Sequence, residues 1–198
     1  MRLVIFCLVA SAVLPSLSRA QTPADVPAIK ISKDESSMKF SVQASVALEG
    51  KFDQWDATLT FPSTDVTTGV LDIKIQAASV NTGSGMKDGK LKSKDFFDVE
   101  QDPMITFHSD KIVQTGPMTF DIPGTFTIRG VSKPETLTFT GSGTKGSGSG
   151  EIKGTMAFDR KDYGMNKGIP FIKIADRVEV TVDLKAKRVS GPPLVFKQ

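Results

Sequence analysis

The sequence has one cysteine, Cys7, and one histidine, His108, in 198 residues. Cys7 lies in an apolar run near the amino terminus, so the chain beyond it has no thiol for a disulfide bond or a thiolate ligand. A zinc site would then need carboxylates for nearly all of its ligands, which is unusual for zinc. We therefore expect a domain held together by core burial alone, without a metal or other cofactor.

The reactive residues do not form a catalytic pattern. His108 falls on the polar phase of its strand, and the sequence has no G-x-S-x-G motif that would supply a nucleophile. The acidic pairs Asp95 with Asp98 and Asp159 with Asp162 lie in turn-like segments, where aspartate is common for structural reasons. The sequence therefore predicts a protein that is not an enzyme, and an exported hydrolase is the disfavoured reading.

The charge of the chain is close to neutral. The formal net charge is +3, and loss of Arg2 and Arg19 with the amino-terminal segment would leave +1. Lysines are spread along the chain, whereas nucleic-acid binding requires a clustered basic face. We expect no nucleic-acid partner.

The first twenty residues have the pattern of a secretory signal peptide. Arg2 precedes an apolar run over residues 3–14, and small residues flank Arg19 before the expected cleavage after Ala20. The run is too short to span a bilayer, so no transmembrane segment is expected in the mature chain. The predicted organisation is a signal peptide (1–20), a flexible leader (21–27), one domain (28–190) and a carboxy-terminal tail (191–198), in a periplasmic or secreted protein.

Apolar and polar residues alternate through most of the mature chain. In residues 38–43, Met38, Phe40 and Val42 alternate with polar residues, which predicts a half-buried strand. About eight such strands and almost no helical periodicity favour an all-β fold, an antiparallel barrel closed to remove its sheet edges. A turn is predicted over residues 130–134. The Gly- and Ser-rich residues 141–150 are interpreted as a flexible hairpin tip and not as a ligand cradle.

The inward phase of these strands carries more aromatic and methionine side chains than a small barrel needs to fill itself. Such residues are usually plain core, but together they indicate an apolar cavity. The predicted lining is Met38, Phe40, Trp55, Leu59, Phe61, Ile73, Phe96, Phe97, Phe107, Phe126, Phe139, Met156, Phe158, Met165 and Phe171.

Three segments together resemble the YceI-like family of bacterial periplasmic lipid-binding proteins. The matching residues are Ser79, Thr82, Gly83, Lys87, Asp88, Leu91, Asp95–Asp98, Pro103, Ile105–Phe107 and Ser109, then Phe126–Val131, Lys133, Pro134 and Leu137, then Arg160 and Asp162–Met165. The resemblance implies a lipocalin-like barrel with an elongated apolar channel and a short helical connection near residues 84–92.

The same resemblance suggests roles for individual polar residues. Asp88 is interpreted as structural, and Arg160 with Asp162 as a clasp at a barrel corner. Lys87, Lys90 and Arg129 are candidates for contacts with a ligand head group. The family often has Arg at the position of Lys87 and His at that of Lys90, which leaves head-group preference open.

The leading prediction is a periplasmic protein that encloses an isoprenoid or similar long apolar molecule for transport or storage. The ligand could be an isoprenoid, a quinone or a fatty-acyl lipid, and a homodimer stays open. The alternative is a non-enzymatic structural or stress-response barrel that acts through a protein partner.

Overall fold

The computed structural model describes residues 26–45, 48–143, 148–168 and 173–197. The strands are Ala28–Ile31 (β1), Ser37–Ala44 (β2), Leu48–Phe52 (β3), Trp55–Thr60 (β4), Val70–Gln76 (β5), Val80–Asn81 (β6), Met104–Ser109 (β7), Val113–Gly116 (β8), Thr119–Ile128 (β9), Val131–Gly143 (β10), Ser149–Asp159 (β11) and Ile174–Ser190 (β12). One helix, Gly85–Lys92 (α1), and 3-10 turns at Lys33–Glu35, Val66–Thr68, Ala77–Ser79 and Arg160–Tyr163 connect them. The predicted signal peptide and most of the leader lie outside the described residues.

The strands have one buried face, as the alternation in the sequence predicts. In β2, Met38, Phe40 and Val42 are buried, whereas Lys39 and Gln43 are exposed. Successive side chains of a strand point to opposite faces, so the apolar phase faces the interior and the polar phase faces water.

The sheet closes on itself. β1 pairs with β4 through Ala28 and Thr60, and with the last strand, β12, through Ala28 and Ser190. The ring runs β1-β4-β5-β7-β9-β10-β11-β12, and every pairing in it is antiparallel. The predicted eight-stranded antiparallel barrel with a short helix is therefore confirmed.

Three of the eight barrel strands each continue, after a short break in the chain, into a second strand or begin from one: β1 with β2, β3 with β4, and β5 with β6. A 3-10 turn at Lys33–Glu35 separates β1 from β2, and a second one at Ala77–Ser79 separates β5 from β6. Residues 53 and 54 separate β3 from β4. The pieces β2, β3 and β6 extend the sheet at one end, where β2 pairs with the first half of β12.

The β9–β10 hairpin is tighter than the sequence indicated. The expected turn over residues 130–134 is wrong, because Val131 already pairs with Ile128 and only Arg129 and Gly130 connect the strands. Both have positive φ, 53° and 68°, the backbone geometry that matches the twist of a two-residue hairpin. Pro134 lies inside β10, in a part that pairs with β9 but not with β11, so its missing N–H interrupts no ladder on that side.

The connection between β6 and β7 covers one end of the barrel. α1 places Leu91 inward, and Phe96 and Phe97 follow it with only 2% and 7% of their surface exposed. Across the described residues, no helix is long and apolar enough to span a bilayer.

Ser109 supports a stability prediction, because this serine is buried at the end of β7. Its Oγ accepts a hydrogen bond from the buried Leu71 N–H at 2.7 Å. We expect Ser109→Ala to lower the free energy of unfolding by about 1–3 kcal/mol, because the Leu71 N–H would be left buried without an acceptor. Urea denaturation measures the loss.

Ser132→Ala is the matched control for this change. Ser132 is also a strand serine, but its hydroxyl bonds to Thr127 on an exposed face. Its loss should change the free energy of unfolding by less than about 0.5 kcal/mol. Equal effects at the two serines would contradict the importance of the buried hydrogen bond.

Candidate ligand-binding cavities

Two cavities lie in the described part of the barrel interior. The first, here the α1-end cavity, has a volume of about 80 Å³ and lies beneath Leu91, Phe96 and Phe97. The second, here the tail-end cavity, has a volume of about 590 Å³ and lies near the carboxy-terminal residues Leu194 and Phe196. The resemblance implies one elongated channel, whereas the structure has a nearly filled cavity at one end and a larger cavity at the other.

The predicted lining residues are distributed unequally between the two cavities. Those in the wall of the α1-end cavity are Met38, Phe40, Ile73, Phe96, Phe97, Phe107, Phe126, Met156, Phe158 and Met165. Leu59, Phe61 and Phe139 line the tail-end cavity. Trp55 is half-buried against the core and belongs to neither of these described walls. Phe171 lies outside the described residues.

Aromatic rings fill the α1-end cavity. The ring of Phe97 lies 5.8 Å from that of Phe52 and 6.4 Å from that of Phe40, in tilted and edge-on arrangements that are favourable for aromatic pairs. These contacts join the connection after α1 to β2 and β3. The connection therefore acts as a packed cover over this end.

A second aromatic cluster buries a tyrosine at the same end. Tyr163 is fully buried, with its ring 5.5 Å from that of Phe126 and 5.2 Å from that of Phe158. Its hydroxyl donates a hydrogen bond to Glu135 Oε1 at 3.0 Å. Burial, followed by the nearby Glu135 carboxylate, raises the pKa of Tyr163, so the phenol is a neutral structural donor.

Arg160 fastens the corner after β11. Its guanidinium donates to the backbone carbonyls of Met165, Lys167 and Ala175, and to Asp176 Oδ1 at 2.9 Å. Asp162, the acid associated with Arg160 from the sequence, instead lies 3.7 Å from Lys133. The carboxylate that holds the corner is therefore that of Asp176, which enters from the beginning of β12.

The two cavities are separated by a layer of close packing. Leu71 and Leu184 are 0% and 1% exposed. In β12, Leu184 lies between Val182 of the α1-end wall and Ala186 of the tail-end wall, and in β5 Leu71 precedes Ile73 of the α1-end wall. The ring of Phe139 occupies the space above Gly154, where an added Cβ would lie 2.1 Å from a ring carbon. Glycine at position 154 therefore allows Phe139 to fill the middle of the barrel.

The tail-end cavity is closed by the carboxy-terminal segment. The chain leaves β12 at Gly191, whose φ is 77° and where a Cβ would lie 1.9 Å from the Val26 carbonyl oxygen. Val195 then forms two backbone hydrogen bonds with residues 64–66, and Lys197 forms two with the Gln114 side chain. The ring of Phe196 lies 6.1 Å from that of Phe120, so the segment contributes apolar side chains to the mouth.

The Gly- and Ser-rich hairpin contributes to the wall of the tail-end cavity. Residues 141–143 and 148–150 belong largely to β10 and β11 and line the tail-end cavity, although this segment was not expected to form a ligand cradle. The tip itself, residues 144–147, lies outside the described residues. Gly141 and Gly150 continue the inward phases of Phe139 and Ile152. Glycine at these inward positions was the signal in the sequence that space is left unfilled at this end of the barrel.

The polar residues near α1 already have protein partners. Lys90 Nζ lies 2.6 Å from Asp95 Oδ2 and 5.7 Å from the centre of the Phe96 ring, and this hydrogen bond holds the pKa of Asp95 below its ordinary value. Arg129 donates to the Gly164 carbonyl at 2.7 Å, whereas its Nε is buried without a hydrogen-bond partner among the described residues.

Two further residues of this group are positioned by α1. Asp88 Oδ1 accepts hydrogen bonds from both the backbone N–H and the hydroxyl of Thr82, which ties α1 to β6. Lys87 is half-buried in α1 and also interacts with the protein. A head-group role for Lys87, Lys90 or Arg129 stays a prediction.

The one histidine lies on the outside of the barrel. His108 Nδ1 is 2.6 Å from Asp72 Oδ1, and both side chains are largely exposed on neighbouring strands. In the described part of the chain, no cluster of three or more His, Asp, Glu or Cys residues could hold a metal ion.

A comparison with protein families matches residues 30–186 to the YceI-like domain. The chain belongs to this family. A UPF0312 protein of Pseudomonas syringae pv. syringae is 31% identical to this YceI-like chain over 122 residues, which are 60% of this chain and 64% of that relative. The match therefore covers less than two thirds of the curated relative.

Solved structures share the YceI-like fold. Burkholderia cenocepacia BcnA superposes with a TM-score of 0.71 at 22% identity, covering 79% of this chain and 99% of BcnA. A polyisoprenoid binding domain from Saccharophagus degradans, implicated in plant cell wall breakdown, gives a TM-score of 0.63 at 16% identity and covers 82% of this chain and 99% of that domain. At these identities the similarity establishes the fold.

We expect Arg160→Ala to lower the free energy of unfolding of this YceI-like domain by about 3 kcal/mol or more. The change leaves the buried Met165 carbonyl and the partly buried carbonyl bonds of Lys167 and Ala175 without their donor, and it removes one partner of Asp176. Arg160→Lys should recover only part of the loss, because a single ammonium cannot reproduce the planar set of donors. Arg177→Ala, which removes an exposed arginine near Glu179, is the control and should cost less than about 1 kcal/mol. A comparable loss in thermal melts of both alanine variants would contradict this assignment.

Asp176 should make stability depend on pH. The hydrogen bond from Lys161 is the largest cause that lowers the pKa of Asp176 from its ordinary 3.8, with Arg160 adding to the effect. The ionised carboxylate therefore stabilises the fold fully at pH values above the ordinary pKa of aspartate. This contribution is lost as pH falls through the lowered pKa of Asp176 in the folded protein.

We expect Asp176→Asn to shift the urea midpoint strongly at about pH 6 and much less at about pH 2–3. Asp110→Asn, at an exposed aspartate without an ion pair in the described part of the chain, controls for general charge effects. An Asp176→Asn shift that is the same at both pH values would contradict the assignment.

Proposed function

We propose that this YceI-like protein is an exported, non-enzymatic carrier that encloses an isoprenoid or similar long apolar molecule for transport or storage. The observation that carries the proposal is the tail-end cavity, about 590 Å³ of space inside a closed barrel. This volume is within the usual range for small-molecule sites, and most of its wall is apolar. The described wall has two charged residues, Glu151 and Arg188.

The size of the hydrophobic effect supports an apolar ligand. Burial contributes roughly 0.8 kcal/mol per methylene, so one five-carbon isoprenoid unit contributes on the order of 3–4 kcal/mol before ordering costs. A few such units give useful affinity without specific polar contacts. The S. degradans relative, described as a polyisoprenoid binding domain, supports the same ligand class for this chain.

The packed middle of the barrel limits the length of chain that the tail-end cavity takes in this conformation. A longer ligand requires Leu71, Leu184 or Phe139 to move, which would join the two cavities. Met38 and Met156 line the α1-end cavity, and their flexible side chains suit this rearrangement. The proposal therefore includes short chains without rearrangement and long chains with it.

The periplasm is the compartment that the amino-terminal sequence favours. Residues 1–20 have the order of basic, apolar and small residues typical of a signal peptide, and the chain beyond Cys7 lacks cysteine. Processing of the exported chain and its presence in a periplasmic extract would test this part of the proposal.

A second candidate function is a barrel that acts through a protein partner. Exposed apolar residues at the tail end favour it: Val195 is 59% exposed, Met118 40%, and Phe196 and Val113 39%. Of these residues, Met118 and Phe196 belong to the wall of the tail-end cavity, where ligand transfer also requires contact with a donor or acceptor. Retained lipid separates the two functions, because a purely protein-binding barrel does not need it.

Ala186→Phe tests whether the tail-end cavity holds the ligand. The added ring would project from the cavity wall and occupy ligand space, so we expect lipid affinity to fall roughly tenfold. Wild-type protein should retain extractable apolar lipid, measured by native mass spectrometry before and after organic extraction. The same spectra would report a monomer or the homodimer left open by the sequence.

Lys187→Phe is the matched control, because it adds the same ring at the next position of β12, where the side chain is exposed. Circular dichroism checks that both variants fold, and Leu59→Phe provides a second cavity-filling change. Wild-type protein without lipid, and without affinity for added lipid, would exclude the carrier function. Equal affinity of Ala186→Phe and wild type would place the ligand elsewhere.

A further inference from the structure

Arg188 is the cation in the wall of the tail-end cavity. In β12 the inward phase runs through Val182, Leu184 and Ala186, and Arg188 is its next member. The register agrees, because Arg188 lies opposite Ile29, which lines the same cavity. An arginine thus occupies an inward position where the preceding residues of the strand are apolar.

Among the described residues, the guanidinium of Arg188 has one hydrogen-bond partner. Nη1 donates to the Gly191 carbonyl at the base of the carboxy-terminal segment. Within the described ranges, no carboxylate forms an ion pair with Arg188. Glu151, the acid in the same wall, instead lies 3.2 Å from Lys185 and 3.8 Å from Lys153. An arginine has five N–H donors, and the described residues accept a hydrogen bond from only one nitrogen of Arg188, Nη1.

The cations at the opposite end are less suited to bind an anion. Lys90 lies 2.6 Å from Asp95, and Arg129 bonds to Gly164 with Asp98 Oδ2 at 3.9 Å. The Nε of Arg129 has no hydrogen-bond partner among the described residues, but it is buried. The cavity below them has only about 80 Å³ of space. The larger volume and the cation without a carboxylate partner therefore occur together at the tail end.

The mouth beside Arg188 has room for a polar group to reach water. Arg188 is half-buried, and Met118 and Phe196, which belong to the same wall, are 40% and 39% exposed. A ligand with its chain in the cavity would leave its end near this partly open rim. A charged end group then keeps part of its hydration while it meets the guanidinium, which limits the desolvation cost.

We propose that the tail-end cavity binds an anionic amphiphile, a hydrocarbon chain that ends in a carboxylate or phosphate, and that Arg188 binds the anionic group at the mouth. The inference rests on the proposed carrier function and specifies its ligand class. Planar guanidinium donors match the oxygen pairs of carboxylates and phosphates, and the neighbouring Gly191 carbonyl orients the side chain.

The test compares ligands that share a hydrocarbon chain and differ in whether the end group is an anion or a neutral alcohol. Purified protein is stripped of lipid, and its affinity is measured by isothermal titration calorimetry for hexadecanoate and hexadecanol, and for farnesyl phosphate and farnesol. Arg188→Gln should weaken binding of the anionic member at least about tenfold, since hydrogen bonds to charged groups are worth that much, and change binding of the alcohol less than about twofold. The acid and phosphate arms identify which anionic group is preferred.

Two further variants control for charge and shape. Lys187→Gln removes the same charge from the neighbouring exposed position and should leave both affinities unchanged. Arg188→Lys keeps the charge and should retain part of the preference for the anion. A selective loss in Arg188→Gln alone supports the assignment.

Three results would overturn it. Unchanged affinity of Arg188→Gln for hexadecanoate and farnesyl phosphate would exclude an anion contact. An equal loss of affinity for the anion and the alcohol would show that Arg188 affects only the shape of the cavity. A selective loss in Lys90→Gln or Arg129→Gln, with none in Arg188→Gln, would place the anionic group at the α1 end. Absence of binding for all four compounds to the wild type is a different result, because it would remove the carrier function as well.

Discussion

The pairing of β12 with both β1 and β2 is the constraint on which the structure depends. β12 has seventeen residues; its first half pairs with β2, its second half with β1, and along its other edge it pairs with β11. Without this closure, β1 and β12 would be open edges, and the apolar phase of every strand would face a groove exposed to water. Closure thus gives the inward residues an interior that is shielded from water.

The faces of the strands were predictable from the sequence, whereas the interruptions were not. A period of two fixes which side of β2 is buried, because Met38 and Phe40 cannot face water without a large cost. The 3-10 turn at Lys33–Glu35 depends on how β1 turns away from β2 around the curvature of the barrel, where Ser36 Oγ bonds to the Ser32 carbonyl. Such bends arise from tertiary packing, which local alternation does not encode.

The candidate site was predictable as a set of inward residues but not as a divided space. Alternation identifies Phe139 as inward, yet only the register opposite Gly154 shows that its ring fills the middle of the barrel. Asp176 could not be chosen over Asp162 as the partner of Arg160, since sixteen residues separate Arg160 from Asp176 in the chain. Arg188 was accessible to sequence reasoning, because continuing the phase of β12 past Leu184 leads directly to it.

The two ends of the barrel differ in a way that separates stability from binding. The α1 end has the aromatic clusters, the buried Tyr163 hydroxyl and the Arg160 corner, all of which require close packing. The tail end has glycines at inward positions, a segment held by a few hydrogen bonds and one arginine without a carboxylate partner among the described residues. An empty cavity costs stability, and a domain without disulfide bonds must recover that cost elsewhere. Dense packing at the α1 end therefore offsets the cost of the unfilled space at the tail end.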